Sequence, residues 1–152
     1  MNKKFTITLI FACFILGHPQ NILAQNKKDI TGLWQSRGDD GKNAESDIRI
    51  WNDGGEYKAK IEKIYDKEAL DNKCTKCDNA DPRYNQRVLG MTILDRMKKT
   101  GNNEWTNGKI LDPESGNIYD CKMWIDDDGK LVIRGYLGLS MLGRSQKWVR
   151  LE

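Results

Sequence analysis

Three cysteines after residue 70 carry the most reactive side chains of the sequence. Cys74 and Cys77 lie three residues apart in a polar segment, and Cys121 lies farther along the chain. Two neighbouring thiols pair readily in an oxidising compartment, so we expect a Cys74–Cys77 disulfide that contributes about 2 kcal/mol by closing a short loop. The alternatives are a Cys77–Cys121 bridge, a zinc site completed by Asp78, and free or redox-active thiols.

Two arginines are the polar residues best suited to contact a ligand. Arg134 alternates with apolar neighbours, so an inward guanidinium would need a partner such as Asp112, Glu104 or a ligand carboxylate. The alternative is an outward arginine on a solvated sheet face, and for Arg144 it is a loop cap or a local ion pair. The candidate ligand contacts are Tyr119, Arg134, Tyr136 and Arg144.

The N-terminal segment has the charged, apolar, small-residue order of a secretory signal. Lys3 and Lys4 precede an apolar run over Phe5–Gly17, and Ala24 offers a small residue for cleavage. The run is shorter than the roughly 20 residues that a membrane-spanning helix needs. We therefore expect a signal peptide over residues 1–24, a periplasmic or secreted protein, and no transmembrane segment after cleavage. Lipidation at Cys13 is the alternative.

Loss of that segment narrows the possible functions. It removes the single histidine, His18, and with it any histidine base or ligand. The serines then have no histidine to activate them, and the Asp126–Asp128 run lacks the ligand spacing of a calcium loop. Without Lys3 and Lys4, 23 basic residues face 22 acidic ones, and a net charge of +1 gives no reason to expect nucleic acid or an anionic membrane as partner. We expect no metal and no cofactor, and an enzyme is the least favoured of the possible functions.

The sequence after the N-terminal segment consists of strands joined by turns. Tyr57, Ala59 and Ile61 alternate with charged residues as in a half-buried strand, and Asn52–Gly55 is typical of a hairpin turn. About eight such strands follow one another, and a meander of eight can close on itself without leaving an exposed edge. The expected fold is an all-β, small antiparallel barrel of about eight strands, in one domain over residues 28–152.

Three further segments carry expectations about secondary structure. Val88–Met97 is apolar enough for a strand or a short helix, whereas Tyr65–Gln86 is irregular and too long to be a simple connection. Leu131, Ile133 and Leu137 are expected on one face of a single strand.

Residues at the two ends of the domain resemble a lipocalin motif. Gly32 and Trp34 match the glycine-any-tryptophan of the first lipocalin strand, and Arg150 matches the late basic residue that packs over that tryptophan. The resemblance implies that these residues close one end of the barrel, with about 0.5–2 kcal/mol from the cation over the ring.

A longer resemblance extends over most of the chain. Trp105–Pro113, Val132–Tyr136 and Leu142–Arg150, together with Gly32 and Trp34, resemble the bacterial family known as domain of unknown function 2147. The resemblance runs from Thr31 to Arg150 and implies an exported, lipocalin-like barrel with no established reaction. Cys74 and Cys77 lie outside the matching blocks.

A barrel of this size is either filled by side chains or holds one small ligand. We expect it to bind a small lipophilic or amphipathic ligand in the cell envelope. The alternative is a structural or protein-interaction module with a filled barrel. An internal cavity would favour the first function, and a solid interior would favour the second.

Overall fold

The computed structural model describes residues 29–38 and 41–152. Its strands form a closed barrel in which each strand pairs antiparallel with the next and β8 pairs with β1. The fold class expected from the sequence is thereby confirmed. The predicted signal peptide, Cys13, and the predicted domain start at Lys28 lie outside the described residues. The strands are β1 Gly32–Arg37, β2 Ala44–Asp53, β3 Glu56–Ile64, β4 Thr92–Lys99, β5 Glu104–Leu111, β6 Ile118–Ile125, β7 Leu131–Tyr136 and β8 Arg144–Arg150.

Alternating side chains explain why the segments form half-buried strands. In β3, Tyr57, Ala59 and Ile61 are buried, whereas the charged residues between them are partly exposed. A two-residue turn joins β2 to β3 and pairs Asp53 with Glu56. Period-two burial against a solvated outer face is what a barrel wall requires.

The structure decides the two segments that the sequence left uncertain. Thr92–Lys99 is a strand, and residues 88–91 belong to the connection before it. The expectation that Leu137 belongs to the same strand as Leu131 and Ile133 is wrong, because β7 ends at Tyr136. Leu137 lies in the connection that follows and is 65% exposed. Gly138, with a φ of 69°, turns the chain away from the barrel immediately after it.

One end of the barrel is solid. Trp34, Trp105, Met97 and Met123 are completely buried there. Gly108 leaves room for Met97, since a Cβ at Gly108 would lie 2.6 Å from the Met97 Cε. Close packing of this kind leaves no space for a ligand at this end.

Four connections surround the other end, which we call the mouth. Their described residues are 38 and 41–43, 65–91, 112–117, and 137–143. Within the longest of them, an isolated bridge pairs Lys73 with Arg87. Among the described residues, no helix is long and apolar enough to span a membrane.

Candidate functional site

A cavity of about 1220 Å³ occupies the barrel between its solid end and its mouth. Strand residues form its wall, and the connections at the mouth form its rim. The lining includes Ser36, Ser46, Ile48, Ile61, Ile110, Tyr119, Ile133, Tyr136, Leu137, Leu142, Arg144, Gln146 and Trp148.

Isoleucine occupies several of the inward strand positions in this wall. Ile48 and Ile61 are register partners across β2 and β3, and Ile110 and Ile133 lie on β5 and β7. Trp148 of β8 contributes an aromatic surface and is 2% exposed. Such a wall suits an aliphatic or aromatic group.

A few polar groups interrupt this wall. The hydroxyl oxygens of Ser36 and Ser46 lie 2.8 Å apart and satisfy each other. Gln146 faces inward beside Ile133, its register partner, and its side-chain amide has no hydrogen-bond partner among the described residues. The buried Nε1 of Trp148 on the same strand face is also unpaired within the described part of the chain. The β8 side of the cavity therefore has unused hydrogen-bonding capacity.

The structure brings three of the four candidate ligand contacts to the cavity. Tyr119, Tyr136 and Arg144 are among its lining residues. Arg134 instead lies on the outer face, where its guanidinium donates to the Ser145 hydroxyl and the Met141 carbonyl, each at 2.9 Å. The strand alternation that turns Ile133 inward turns Arg134 outward, so Arg134 is not a cavity residue.

The long connection packs tightly against the β5–β6 turn at the mouth. Cys74 and Cys77 form a disulfide and are almost completely buried. The Cys74 sulfur lies 3.5 Å from the carbonyl oxygen of Pro113. Gly116 has a φ of 77°, and a Cβ there would lie only 2.0 Å from the carbonyl oxygen of Lys76. The disulfide thus sits where the rim of the cavity is held together.

An ion pair fixes a second part of the long connection. Arg83 donates to both carboxylate oxygens of Asp81 and, through Nη1, to the carbonyl of Thr92 in β4. The hydrogen bond from Arg83 lowers the pKa of Asp81 to about 2. The connection is therefore attached to the barrel wall as well as to the β5–β6 turn.

At the solid end, Gly32, Trp34 and Arg150 lie together. The Arg150 guanidinium carbon lies 4.2 Å from the Trp34 ring centroid. A Cβ at Gly32 would lie 2.6 Å from the Glu152 carbonyl oxygen and 3.2 Å from Arg150 Nη1, so only glycine fits. Burial lowers the pKa of Arg150, and nearby Asp29 opposes that shift. These residues cover the end opposite the mouth and make no contribution to the cavity lining.

Sequence analysis missed much of the lining. Gln146 could have been found, because its phase matches that of Trp148. The rim residues of the long connection, such as Lys73 and Lys76, carry no periodic signal. Within residues 29–38 and 41–152, no cluster of three or more histidine, cysteine, aspartate or glutamate side chains is arranged to hold a metal ion.

Comparisons with known proteins agree with this architecture. A solved structure described as "Protein HP1028 from the human pathogen Helicobacter pylori belongs to the lipocalin family" superposes with a TM-score of 0.70. The two sequences are 20% identical, and the match covers 82% of this chain and 84% of that one, which shows a shared fold. No curated protein matches the chain. The family model described as "Uncharacterized protein conserved in bacteria (DUF2147)" matches residues 32–150, and the chain therefore belongs to this family, as its resemblance indicated.

Proposed function

We propose that this protein binds a small, partly apolar ligand in its barrel cavity and works in the cell envelope. The observation that carries the proposal is the cavity itself, because one half of the barrel is solid and the other half is hollow. Ligand sites in proteins are usually concave, mostly apolar and roughly 300–1,000 Å³ in volume, and this cavity with its open mouth is of that order. A cavity supports this function over that of a filled interaction module.

The lining favours an amphipathic ligand. The apolar part would lie deep, against Ile48, Ile61 and Ile133, and a polar group would lie on the β8 side. There the Gln146 amide can donate and accept, and Arg144 is nearer the mouth. A ligand acceptor that bound the buried Nε1 of Trp148 would remove the cost of that unpaired donor, and the partly exposed Gln146 amide offers a second hydrogen bond.

The proposed location rests on the N-terminal sequence. The charged, apolar, small-residue order of residues 1–24 is that of a secretory signal. The Cys74–Cys77 disulfide is consistent with an oxidising compartment. Intact-mass measurement of protein from the cell envelope should give a chain that starts near Gln25. Recovery of a chain with Met1 from the cytoplasm would contradict this location.

The ligand proposal is tested by what the protein retains. Protein purified gently from its own host is extracted with organic solvent, and the extract is analysed by mass spectrometry. We expect one small amphipathic compound at near-stoichiometric amount. The comparison is with Ile110→Trp, which fills the cavity, and with Lys60→Trp, which adds the same side chain to the outer face of β3.

The outcomes are distinct. The proposal requires wild type and Lys60→Trp to carry the compound and Ile110→Trp to lose it while still folding. A second measurement uses anilinonaphthalene sulfonate, a dye that fluoresces on apolar surfaces. The retained compound should displace this dye from the cavity. Equal retention by folded Ile110→Trp, or nothing retained and no dye bound by wild type, would refute a cavity site.

A further inference from the structure

The β7–β8 connection carries a group of large apolar side chains that face solvent. Leu137, Leu139, Met141 and Leu142 are 65%, 70%, 86% and 81% exposed. They lie within residues 137–143, which we call the apolar tip. Isolated exposed hydrophobic residues are ordinary, but a contiguous group of them marks an interaction surface.

The apolar tip is continuous with the cavity. Leu137 and Leu142 both line the cavity and are also exposed to solvent. An apolar path therefore runs from the outside of the tip, through the mouth, to the isoleucine wall. Whatever covers the tip also lies against the mouth.

Some backbone groups of the tip are already hydrogen-bonded. The amide of Leu142 donates to the Leu139 carbonyl at 3.1 Å, and the Met141 carbonyl accepts a hydrogen bond from Arg134. Backbone groups that are already paired lose little when water is removed from them.

The charged residues of the tip and its two flanking strands have one sign, whereas the other connections at the mouth carry both signs. No aspartate or glutamate occurs over residues 130–151, although the net charge of the whole chain is small. Arg134 and Arg144 lie on the two strands at the base of the tip. Arginine stems pack on apolar surface while the guanidinium stays at a polar interface, where it attracts phosphate groups.

We propose that the apolar tip inserts into the interfacial region of a lipid bilayer that contains anionic lipids, with Arg134 and Arg144 at the level of the headgroups. A protein partner or a second copy of the chain fits less well, since stable protein interfaces use about 20–30 residues a side and this tip has seven. The proposal does not depend on an occupied cavity, and its test needs no ligand.

The test is flotation of the protein with vesicles made of equal parts of phosphatidylethanolamine and phosphatidylglycerol. Protein from its own host is compared with the double variant Leu139→Ser/Met141→Ser. The matched control is Leu151→Ser, which removes a side chain that is 45% exposed at the opposite end of the barrel. We expect the double variant to bind at least about tenfold more weakly, and the control to bind as wild type does, because apolar burial drives insertion.

A second measurement locates the tip. Met141→Trp places a fluorophore on the most exposed tip residue. Lipids brominated on their acyl chains should quench the added fluorescence if the tip enters the bilayer. Wild type that fails to float, a double variant that floats equally well, or an added tryptophan that is not quenched would overturn the proposal. The proposal would also be overturned if sedimentation showed that the protein forms dimers through the tip and that these dimers do not bind vesicles.

Discussion

The guanidinium group of Arg150 lies over the indole ring of Trp34, with its carbon 4.2 Å from the ring centroid. The same guanidinium donates hydrogen bonds to the backbone carbonyls of Thr31 and Asp29, and the Trp34 indole donates to the Ile30 carbonyl at 2.8 Å. The pair therefore joins the last strand, the first strand and the segment before it.

Replacement of this tryptophan should be among the costlier single changes. Trp34→Ala should lower the free energy of unfolding by about 3–5 kcal/mol, because it opens a large cavity in the solid end of the barrel. Urea unfolding measures the loss. Trp124→Ala is the matched control, since Trp124 is only partly buried, and should cost clearly less. Similar costs for both variants would mean that Trp34 has no special role in closure.

Two variants separate the effect of the close Lys76 carbonyl oxygen at Gly116 from the effect of the positive φ of Gly116. Gly116→Ala and Gly129→Ala both place a side chain at nearly the same positive φ, 77° and 74°, but only Gly116 has a backbone atom in the way. Strain at positive φ costs about 1–2 kcal/mol. We expect Gly129→Ala to lose about that much in urea unfolding, and Gly116→Ala to lose more and to become easier to cleave by protease within residues 65–91. Equal losses would show that the long connection does not press on the β5–β6 turn.

The buried thiol predicts a dependence of stability on alkaline pH. Burial raises the pKa of Cys121 from 9.0 to about 12. Between these two values the unfolded chain releases the thiol proton while the folded chain retains it, so the folded state loses stability as pH rises. Compared with Cys121→Ala, wild type should be destabilised by about 2 kcal/mol more at about pH 10.5 than at about pH 8. Parallel stability curves for the two proteins would exclude a buried Cys121.

Thiol counting tests the disulfide. Without residues 1–24, the chain, denatured and alkylated without reductant, should show one reactive thiol, at Cys121, and three after reduction. Cys74→Ser/Cys77→Ser should lose about 2 kcal/mol from the entropy of so short a loop, and a further amount because the two hydroxyls are buried. Three reactive thiols before reduction would contradict the bridge. A peptide map that showed a Cys77–Cys121 disulfide would mean that the bridge joins the rim to the barrel wall and does not lie within the rim.

The barrel was predictable because its signals are local. The alternation around Ala59 and the turn before Glu56 lie within a few residues of each other, and each half-buried strand repeats the same pattern. Leu137 was misplaced because it continues the phase of Leu131 and Ile133, although β7 already ends at Tyr136. The period of apolar residues predicts which face of a strand is buried, but it does not predict the residue at which the strand ends.

The site was predictable only in part, because it depends on positions distant in sequence. Ile48 and Ile133 could be assigned inward, but whether they meet or enclose space depends on packing across the barrel. Arg134 was a candidate because a strand has two faces, and the sequence alone did not decide which one it occupied. The rim near Lys76 depends on a contact with Gly116, 40 residues away, that no local pattern announces.

The pairing of β1 with β8 has consequences for how the chain folds. Seven of the eight strand pairs join neighbours in sequence and can form while the chain is still incomplete, but Trp34 must wait for Arg150. Contacts so distant in sequence form slowly, because a long loop has to close first. Until β8 emerges, β1 and β7 each present an unpaired strand edge, which is a template for aggregation. A nascent chain would therefore need protection, by a chaperone or by passage through a translocation channel, until β8 is free.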